Sequence, residues 1–445
     1  MHNILFEYEM PPTTWVYVSA LMTIGIYFKF RRLLSVRNLD LIGLILFSPG
    51  LLLVSHGKEQ LGYLWLFSVT GFFLVRMLLD QVMVRRPLLE PNLSASGLTF
   101  TGVALMVFMI GTVVTEPVPK AEVEAVKEAE QITTGEPAEK AKPPAEAGVA
   151  ASRATRGKAG QHGPGYALFY LVANFASEAL VPADEGSPSQ ARRTLVRQAT
   201  VRSMAILGHL AIVIGMVLIG YRHFDNVHTG VAAASLYLLS PYTAQQTSEV
   251  IHVVPGALLV WAVVSYRRPA VAGILLGLAA GVVFYPLFLL PLWLGFYWRR
   301  GLLRFSAGMA STLLGLILLL MLAPGTFLDN LGEMFGLGDV GVSGFWEYHA
   351  EAFRTPVKAA FVVICGSFAL WPAQKNLGTL LACSAAVMLA AQFWHPVDGG
   401  LYMAWYLPLL ILTIFRPNLE DRVALTALTE GWIPWRKPIP GVEGA

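Results

Sequence analysis

A succession of apolar runs divides this chain, each about 15–20 residues long, and several of them end at arginines. Helices of this length match the hydrocarbon thickness of a bilayer, whereas a membrane barrel would show alternation over about 10 residues. Charged residues make up only 14% of the 445 residues, against about 25% in soluble domains. The sequence therefore predicts an all-α, polytopic membrane protein whose immediate partner is membrane lipid.

The remaining composition excludes several function classes. The formal net charge is +3, and the basic residues cluster at the ends of apolar runs, which indicates topology and not a nucleic-acid surface. Cys365 and Cys383 lie inside apolar runs, so neither a disulfide framework nor zinc spacing is predicted. We find no phosphate-binding loop, metal-ligand cluster, nucleophile elbow or redox motif, and we expect no metal and no cofactor.

The distribution of arginines predicts the orientation of the spans. The first run, residues 13–30, is followed by Arg31 and Arg32, which places the N-terminus outside and these arginines in the cytoplasm. Residues 1–12 lack a basic region, so we expect the first span to be retained. Alternation along the chain gives about 13 membrane segments and a cytoplasmic tail at 417–445. A bacterial inner (plasma) membrane is the expected location.

Residues 1–115 form the predicted N-terminal unit of four spans, at about 13–30, 39–54, 61–83 and 98–114. The third span carries Arg76 and Asp80 at i, i+4 spacing, so both side chains can face the same side of a helix. An ion pair inside a membrane indicates a functional group. The alternative is that both side chains reach toward the nearby cytoplasmic surface.

A polar segment separates the two membrane units. Residues 116–165 are rich in Ala, Glu, Lys, Pro and Gly without aromatic residues, which predicts a disordered extracytoplasmic linker with at most a transient helix at 121–130. The C-terminal membrane unit, residues 166–416, begins with a run at 166–180 that is short for a span and predicts an interfacial or re-entrant helix. A full span there would invert the topology downstream.

Three polar groups on the predicted outer face are candidate sites. Gln245, Gln246 and Glu249 precede an apolar run, where partial desolvation can raise the pKa of the Glu249 carboxyl. The segment FWEYHAEAFR at 345–354 suits a sugar or phosphate site, or else an amphipathic helix on the bilayer surface. His395 and Asp398 suit acid–base chemistry, or else a polar turn between two spans.

In residues 240–300 a proline ends one span, a polar segment with a glutamine and an acid follows, the next span ends at basic residues, and a glycine-rich hairpin comes after it. The positions of this pattern are Pro241, Gln245, Glu249, Arg267, Gly273, Gly277, Pro286 and Pro291. On these positions, residues 201–304 resemble the integral-membrane glycosyltransferases of the GT-C superfamily, most closely the family 87 mannosyltransferases that use polyprenol-phosphate sugars. A weaker similarity lies in HPVDGGLYMAWYLP at 395–408.

The resemblance implies transfer of a sugar from a lipid-linked polyprenol-phosphate donor to an acceptor on the outer face. A carboxylate base and an arginine on the phosphate would serve this chemistry. The catalytic candidates are Glu249, Glu347 and Asp398. The substrate-binding candidates are Arg202 and Arg354 for phosphate, Trp346 for ring stacking, and Gln245, Gln246, His349 and His395.

The chain departs from the family at two positions. Val283 and Phe284 stand where the family hairpin has a lysine. The family's catalytic aspartate lies in the first outer loop after the first span, and here that loop, residues 56–60, contains Glu59 as its only carboxylate. Two other functions stay open. The Pro- and Gly-interrupted runs at 39–54 and 270–298 favour a transporter or flippase of a lipid-linked substrate, and the missing family residues favour a non-catalytic scaffold. The sequence leaves the oligomeric state open.

Overall fold

The computed structural model describes residues 11–83, 90–134, 163, 165–180, 189–322 and 341–428. These ranges are largely helical and contain no β-strand, and an isolated bridge pairs Asn376 with Val423. The all-α prediction is therefore confirmed. The described α-helices are α1 (Pro12–Tyr27), α2 (Val36–Ser55), α3 (Glu59–Leu79), α4 (Ala95–Thr115), α5 (Lys120–Thr134), α6 (Gly165–Leu180), α7 (Ser189–His223), α8 (Val227–Leu239), α9 (Pro241–Gln245), α10 (Val250–Val264), α11 (Pro269–Val282), α12 (Leu290–Tyr297), α13 (Leu302–Leu322), α14 (Arg354–Leu370), α15 (Leu377–Ala391), α16 (Leu407–Phe415) and α17 (Ala424–Ala427).

Six helical stretches in the described residues are long and apolar enough to cross a membrane. They are Val36–Ser55, Glu59–Val82, Ala95–Thr115, Ala191–His223, Leu302–Met321 and Glu351–Leu370. Shorter apolar helices include α8, α10, α11 and α15. Large apolar side chains such as Phe100 and Phe108 of α4 face outward. Such surfaces are stable against lipid and not against water, so the fold is that of a membrane protein.

Polar contacts between helix ends define two opposite ends of the bundle. At the basic end, Arg422 pairs with Asp225 at 2.7 Å, and Arg300 donates to the Leu425 carbonyl at 2.8 Å. At the acidic end, the Tyr63 hydroxyl at the start of α3 donates to Asp398 at 3.1 Å. Since α3 runs from the acidic end to the basic end, these contacts lie on the two faces of the membrane region.

A buried ion network lies toward the basic end. Arg76 of α3 donates to both carboxylate oxygens of Asp40 on α2, at 2.9 and 3.0 Å, and to Asp80 at 3.0 Å. Arg416, which follows α16, donates to Asp80 at 2.6 Å. The Asp40 and Asp80 side chains are only 1% and 0% exposed. Arg76 and Asp80 share a helix face as predicted, and they contact each other inside the bundle instead of reaching toward the surface.

Glycines bring α11 and α13 into close contact. A Cβ atom at Gly273 would collide with the backbone carbonyl oxygen of Phe305, and one at Gly308 with that of Ala270. Gly277, one turn further along α11, faces the Thr312 side chain. Small residues at this spacing allow membrane helices to pack backbone against backbone, which supplies dispersion contacts that lipid cannot replace. The glycine-rich hairpin of the sequence is thus a packing surface.

The prediction of a disordered linker is wrong for residues 120–134. These residues form α5, which packs against α6 and α7. Ala125 and Val126 are buried on its inner face together with the polar side chain of Glu122. The burial is possible because neighbouring helices, and not α5 alone, cover the apolar face. The predicted linker residues 135–162 and 164 lie outside the described residues. The helix predicted at 166–180 is present as α6.

Two further segments differ from the prediction. The sequence predicts an outer segment with several arginines at 191–202 and a separate span at 203–221, but the two form one continuous helix, α7, of 35 residues. The segment at 345–354 is not an amphipathic α-helix: two 3₁₀ turns, Gly344–Tyr348 and Glu351–Phe353, precede α14. Gly344 has φ of 70°, a left-handed conformation that a side chain would strain, and it breaks the helical path there.

Candidate functional site

Two carboxyl groups from distant parts of the chain lie at the N-terminus of α10. Glu249 is the N-cap residue of this helix and is half-buried. Glu122 of α5 is buried and accepts hydrogen bonds from the backbone N–H of Ile251, at 3.1 Å, and from the Tyr166 hydroxyl, at 2.9 Å. The first N–H groups of a helix have no intrahelical partner, so a carboxylate placed there is stabilised.

The environment of Glu122 changes its acidity. Burial, and then the negative charge of Glu249, raise the pKa of Glu122 to about 8, although the hydrogen bonds from Ile251 and Tyr166 act in the opposite direction. Two nearby carboxyl groups avoid carrying two charges at once when one of them keeps a proton. The pair therefore combines a carboxyl that holds a proton near neutral pH with the more exposed Glu249.

Arg202 of α7 is connected to the segment before α10 through Glu116. Its guanidinium donates to the backbone carbonyl of Glu116 at 3.1 Å. The Thr247 hydroxyl donates to the Glu116 carboxylate at 3.5 Å, and His209 contacts the Thr247 carbonyl at 3.1 Å. Residues that follow α4 are thereby attached to the segment before α10. Arg202 is thus connected through Glu116 to Thr247, two residues before Glu249.

The two predicted glutamines flank this region. Gln245 ends α9 and Gln246 follows it, and both are half-buried. The amide nitrogen of Gln245 is buried without a hydrogen-bond partner among the described residues. An unsatisfied buried amide is costly, so a substrate hydroxyl in contact with it would be favoured.

Aromatic rings connect this region to the loop before α16. The Tyr242 hydroxyl contacts Nδ1 of His252 at 2.7 Å. The His252 ring lies 4.5 Å from that of Tyr402, which lies 4.3 Å from that of His395. Glu249 acts electrostatically on both Tyr242 and Tyr402. The rings therefore form a continuous path from the carboxyl pair to His395.

Arg354 and His395 are buried next to each other at the end of this path. Arg354 donates from Nε to the Trp394 carbonyl at 2.8 Å, and its guanidinium lies 3.9 Å from the exposed carboxylate of Glu351. His395 contacts the Val397 carbonyl through Nδ1 at 2.6 Å. Burial lowers the pKa of His395 to about 3, so its ring is neutral across the physiological range and does not titrate near pH 7.

Asp398 is engaged in the contact between the loop before α16 and α3. Its Oδ1 accepts from Tyr63 at 3.1 Å and from the Ser343 hydroxyl at 2.8 Å. Its φ of 49° is a left-handed conformation that aspartate tolerates better than most residues. These contacts hold the loop in place and correspond to the polar-turn interpretation of the His395–Asp398 sequence.

The remaining candidates lie on the 3₁₀ turn Gly344–Tyr348 and just after it. Trp346 is buried, and its indole N–H donates to the Phe393 carbonyl at 3.0 Å. This N–H is therefore already hydrogen-bonded within the protein. Glu347 is exposed and acts electrostatically on Tyr348. His349 is exposed, and its ring stacks on that of Phe345 at 4.1 Å.

The structure thus brings Glu249, Gln245, Gln246 and Arg202 into one region, and aromatic rings join that region to Arg354 and His395. Glu347, His349 and Asp398 lie in a second group with Tyr63 and Tyr348. Sequence reasoning missed Glu116 and Glu122. The missed signal is the helical spacing of Glu122, Ala125, Val126 and Ala129, which puts one carboxylate on an otherwise small, apolar face.

Within the described part of the chain, no group of three or more His, Cys, Asp or Glu side chains is placed to hold a metal ion. No protein-family model matches the chain, and no curated protein matches it. The function is therefore inferred from the geometry of the acidic end and from the sequence resemblance.

Proposed function

We propose that the protein is a membrane glycosyltransferase of the GT-C type, which transfers a sugar from a polyprenol-phosphate donor to an acceptor at the acidic end. The observation that carries this proposal is the pairing of Glu122 with Glu249 at the N-terminus of α10. Arg202 is connected to the same region through Glu116 and Thr247. Carboxylates and an arginine at one membrane face are the groups that transfer from a lipid phosphate requires.

The family pattern has an acidic residue in the first outer loop after the first span. Residues 116–134 contact the segment that carries the resemblance through Thr247 and Ile251, whereas Glu59 of loop 56–60 accepts from the Tyr348 hydroxyl. In this proposal α4 occupies the place of the family's first span. Glu116 and Glu122 then supply the outer carboxylates that the family pattern requires.

The proposed reaction uses the groups in distinct roles. Glu249 takes the proton of the acceptor hydroxyl, whose oxygen forms a bond to the anomeric carbon of the donor sugar. The bond from that carbon to the phosphate oxygen breaks, and polyprenol phosphate leaves with the electron pair. Arg202 stabilises the charge that develops on the phosphate. Glu122 keeps a proton near neutral pH, so it adds no second negative charge beside Glu249.

The membrane arrangement is part of the same proposal. The acidic end faces the outside of a bacterial inner membrane, and the basic end, which carries Arg267, Arg300 and Arg416, faces the cytoplasm. About 13 segments then enter the membrane, because the shorter apolar helices supplement the six long ones. The N-terminus lies outside and the C-terminus lies inside.

Turnover of a polyprenol-phosphate sugar by the purified chain tests the proposal. Glu249→Gln removes the base and is expected to lower kcat by a factor of about 10²–10⁴. Glu347→Gln is the matched control, since its carboxylate is exposed and belongs to the second group. Absence of turnover in the wild-type chain, or equal rates for the two variants, would contradict the proposal.

The interrupted helices favour the alternative of a transporter or flippase for the same lipid-linked substrate. Pro255 lies within α10, and a 3₁₀ turn at Tyr285–Leu289 separates α11 from α12. Interrupted helices line substrate paths in many transporters. Movement of a labelled polyprenol phosphate across proteoliposomes without sugar transfer would favour transport. If neither sugar transfer nor lipid movement is observed, the non-catalytic scaffold is the remaining alternative.

A further inference from the structure

A cavity of about 880 Å³ opens at the basic end, between the C-termini of α7 and α10. We call it the basic groove, and its main lining residues are Tyr221, Arg222, His223, Trp261, Arg267 and Arg268. Its volume falls within the range of small-ligand sites. It lies at the opposite end of the bundle from Glu122 and Glu249, so it is separate from the proposed site of sugar transfer.

The groove carries a concentration of positive charge. Arg222, Arg267 and Arg268 are all exposed along it. The carboxylate in its lining, Asp225, is paired with Arg422 at 2.7 Å. Guanidinium groups bind phosphate through paired N–H donors, and they keep their charge at any physiological pH. The groove is therefore suited to a phosphate group.

The apolar side of the groove indicates that the phosphate belongs to a lipid. Trp261 lies about one helical turn before the end of α10, so the groove extends into the apolar layer. Exposed Leu207, Leu210 and Ile214 form a stripe on α7 at i, i+3, i+7 spacing, which continues to Tyr221 two turns later. An acyl chain can pack along this stripe. A free phosphate group has no apolar part that would contact it.

His223 adds a buried polar atom. Its Nε2 lies 2.9 Å from the Val264 carbonyl, which only accepts, so Nε2 carries the hydrogen and Nδ1 of the neutral ring is an acceptor. Nδ1 is buried and has no hydrogen-bond partner among the described residues. A headgroup hydroxyl would supply the missing donor.

We propose that the basic groove binds an anionic phospholipid of the cytoplasmic leaflet, with its phosphate on Arg222, Arg267 and Arg268, a headgroup hydroxyl toward His223, and an acyl chain along α7. Phosphatidylglycerol has this chemistry. The choice of leaflet rests on the orientation given under the proposed function. The site itself does not depend on sugar transfer at the acidic end, because its residues and its test are different.

Native mass spectrometry of the purified, delipidated full chain, titrated with dioleoyl-phosphatidylglycerol, tests this site. The double variant Arg267→Gln/Arg268→Gln should weaken binding of the first lipid about thirtyfold, since each charge near an anionic lipid contributes about 1 kcal/mol. The matched control, Arg299→Gln/Arg304→Gln, removes two exposed arginines at the same end outside the groove and should keep the wild-type affinity.

Two further ligands in the titration distinguish binding of a lipid from binding of a free phosphate group. Dioleoyl-phosphatidylcholine should bind much more weakly than phosphatidylglycerol, and sn-glycerol 3-phosphate should not compete at equal concentration. Equal loss of binding in the two double variants would overturn the proposal. Full competition by glycerol phosphate, or binding of phosphatidylcholine with equal affinity, would also overturn it.

Discussion

Asp80 and Arg416 are separated by 336 residues of sequence, and a hydrogen bond of 2.6 Å joins them inside the bundle. Asp80 also accepts from Arg76, so its carboxylate is shared between the N-terminal helices and the last apolar helix. A Cβ atom at Gly378 would collide with the Arg416 guanidinium, which shows how closely α15 encloses the pair. The N-terminal helices are therefore fixed to the rest of the chain by charge as well as by packing.

Asp80→Asn leaves Arg416 buried with a weaker partner and should lower the free energy of unfolding by about 3–5 kcal/mol. The control is Asp225→Asn, which breaks an ion pair whose carboxylate is 72% exposed and should cost about 0–1 kcal/mol. Denaturant unfolding in detergent micelles measures both values. Similar losses for the two variants would show that the buried network does not hold the bundle.

Glu122 should make stability depend on pH. Its folded-state pKa of about 8 exceeds the ordinary value of 4.5, so the folded chain retains a proton that the unfolded chain releases between these values. The contribution of Glu122 to the free energy of unfolding is fully present below about pH 4.5 and is lost as the pH rises toward 8. Glu122→Gln should reduce the slope in this window by about 1 kcal/mol per pH unit. An unchanged slope in unfolding midpoints from pH 5 to 8 would contradict the assignment.

Gly273→Ala should destabilise the contact between α11 and α13. The added methyl group meets a backbone carbonyl, which cannot move aside as a flexible side chain would, and the expected cost is about 1–3 kcal/mol. Gly315→Ala on α13 is the control, since nothing lies within 4 Å of its Cβ position. That substitution should be neutral or slightly stabilising, because alanine favours helix. The melting temperatures of the two variants compare these effects directly.

Labelling with a membrane-impermeant maleimide should confirm the orientation. Glu347→Cys is exposed at the acidic end and should react from outside intact cells. Arg299→Cys is exposed at the other end of the bundle and should react only after the membrane is opened. The native thiols of Cys365 and Cys383 are buried, so they give little background. The reverse pattern would mean that the topology is inverted.

The apolar runs predicted the long helices closely because lipid imposes a length on each of them. The predicted span at 39–54 is α2 (Val36–Ser55), and the one at 98–114 is α4 (Ala95–Thr115). The helix face shared by Arg76 and Asp80 was also predicted correctly. Each of these features depends only on the local sequence and on the lipid that surrounds the helices.

The candidate site was less predictable because it depends on contacts between distant segments. The composition around Glu122 is that of a solvated linker, and the residue is buried only because Ile251 and Tyr166, far away in the sequence, supply donors to its carboxylate. The partners of Asp398 are likewise Tyr63 and Ser343, which no local pattern connects to it. Spacing along one segment cannot reveal partners of this kind.

The 35 residues of α7 extend about 50 Å, well beyond the thickness of the apolar layer of a bilayer, and the helix contains no proline at which it could bend. One part of this helix carries Arg202, which is hydrogen-bonded to Glu116, and its far end carries His223 in the basic groove. A continuous helix without proline moves largely as one body. A tilt of α7 that displaces Arg202 therefore also displaces the groove at the opposite end.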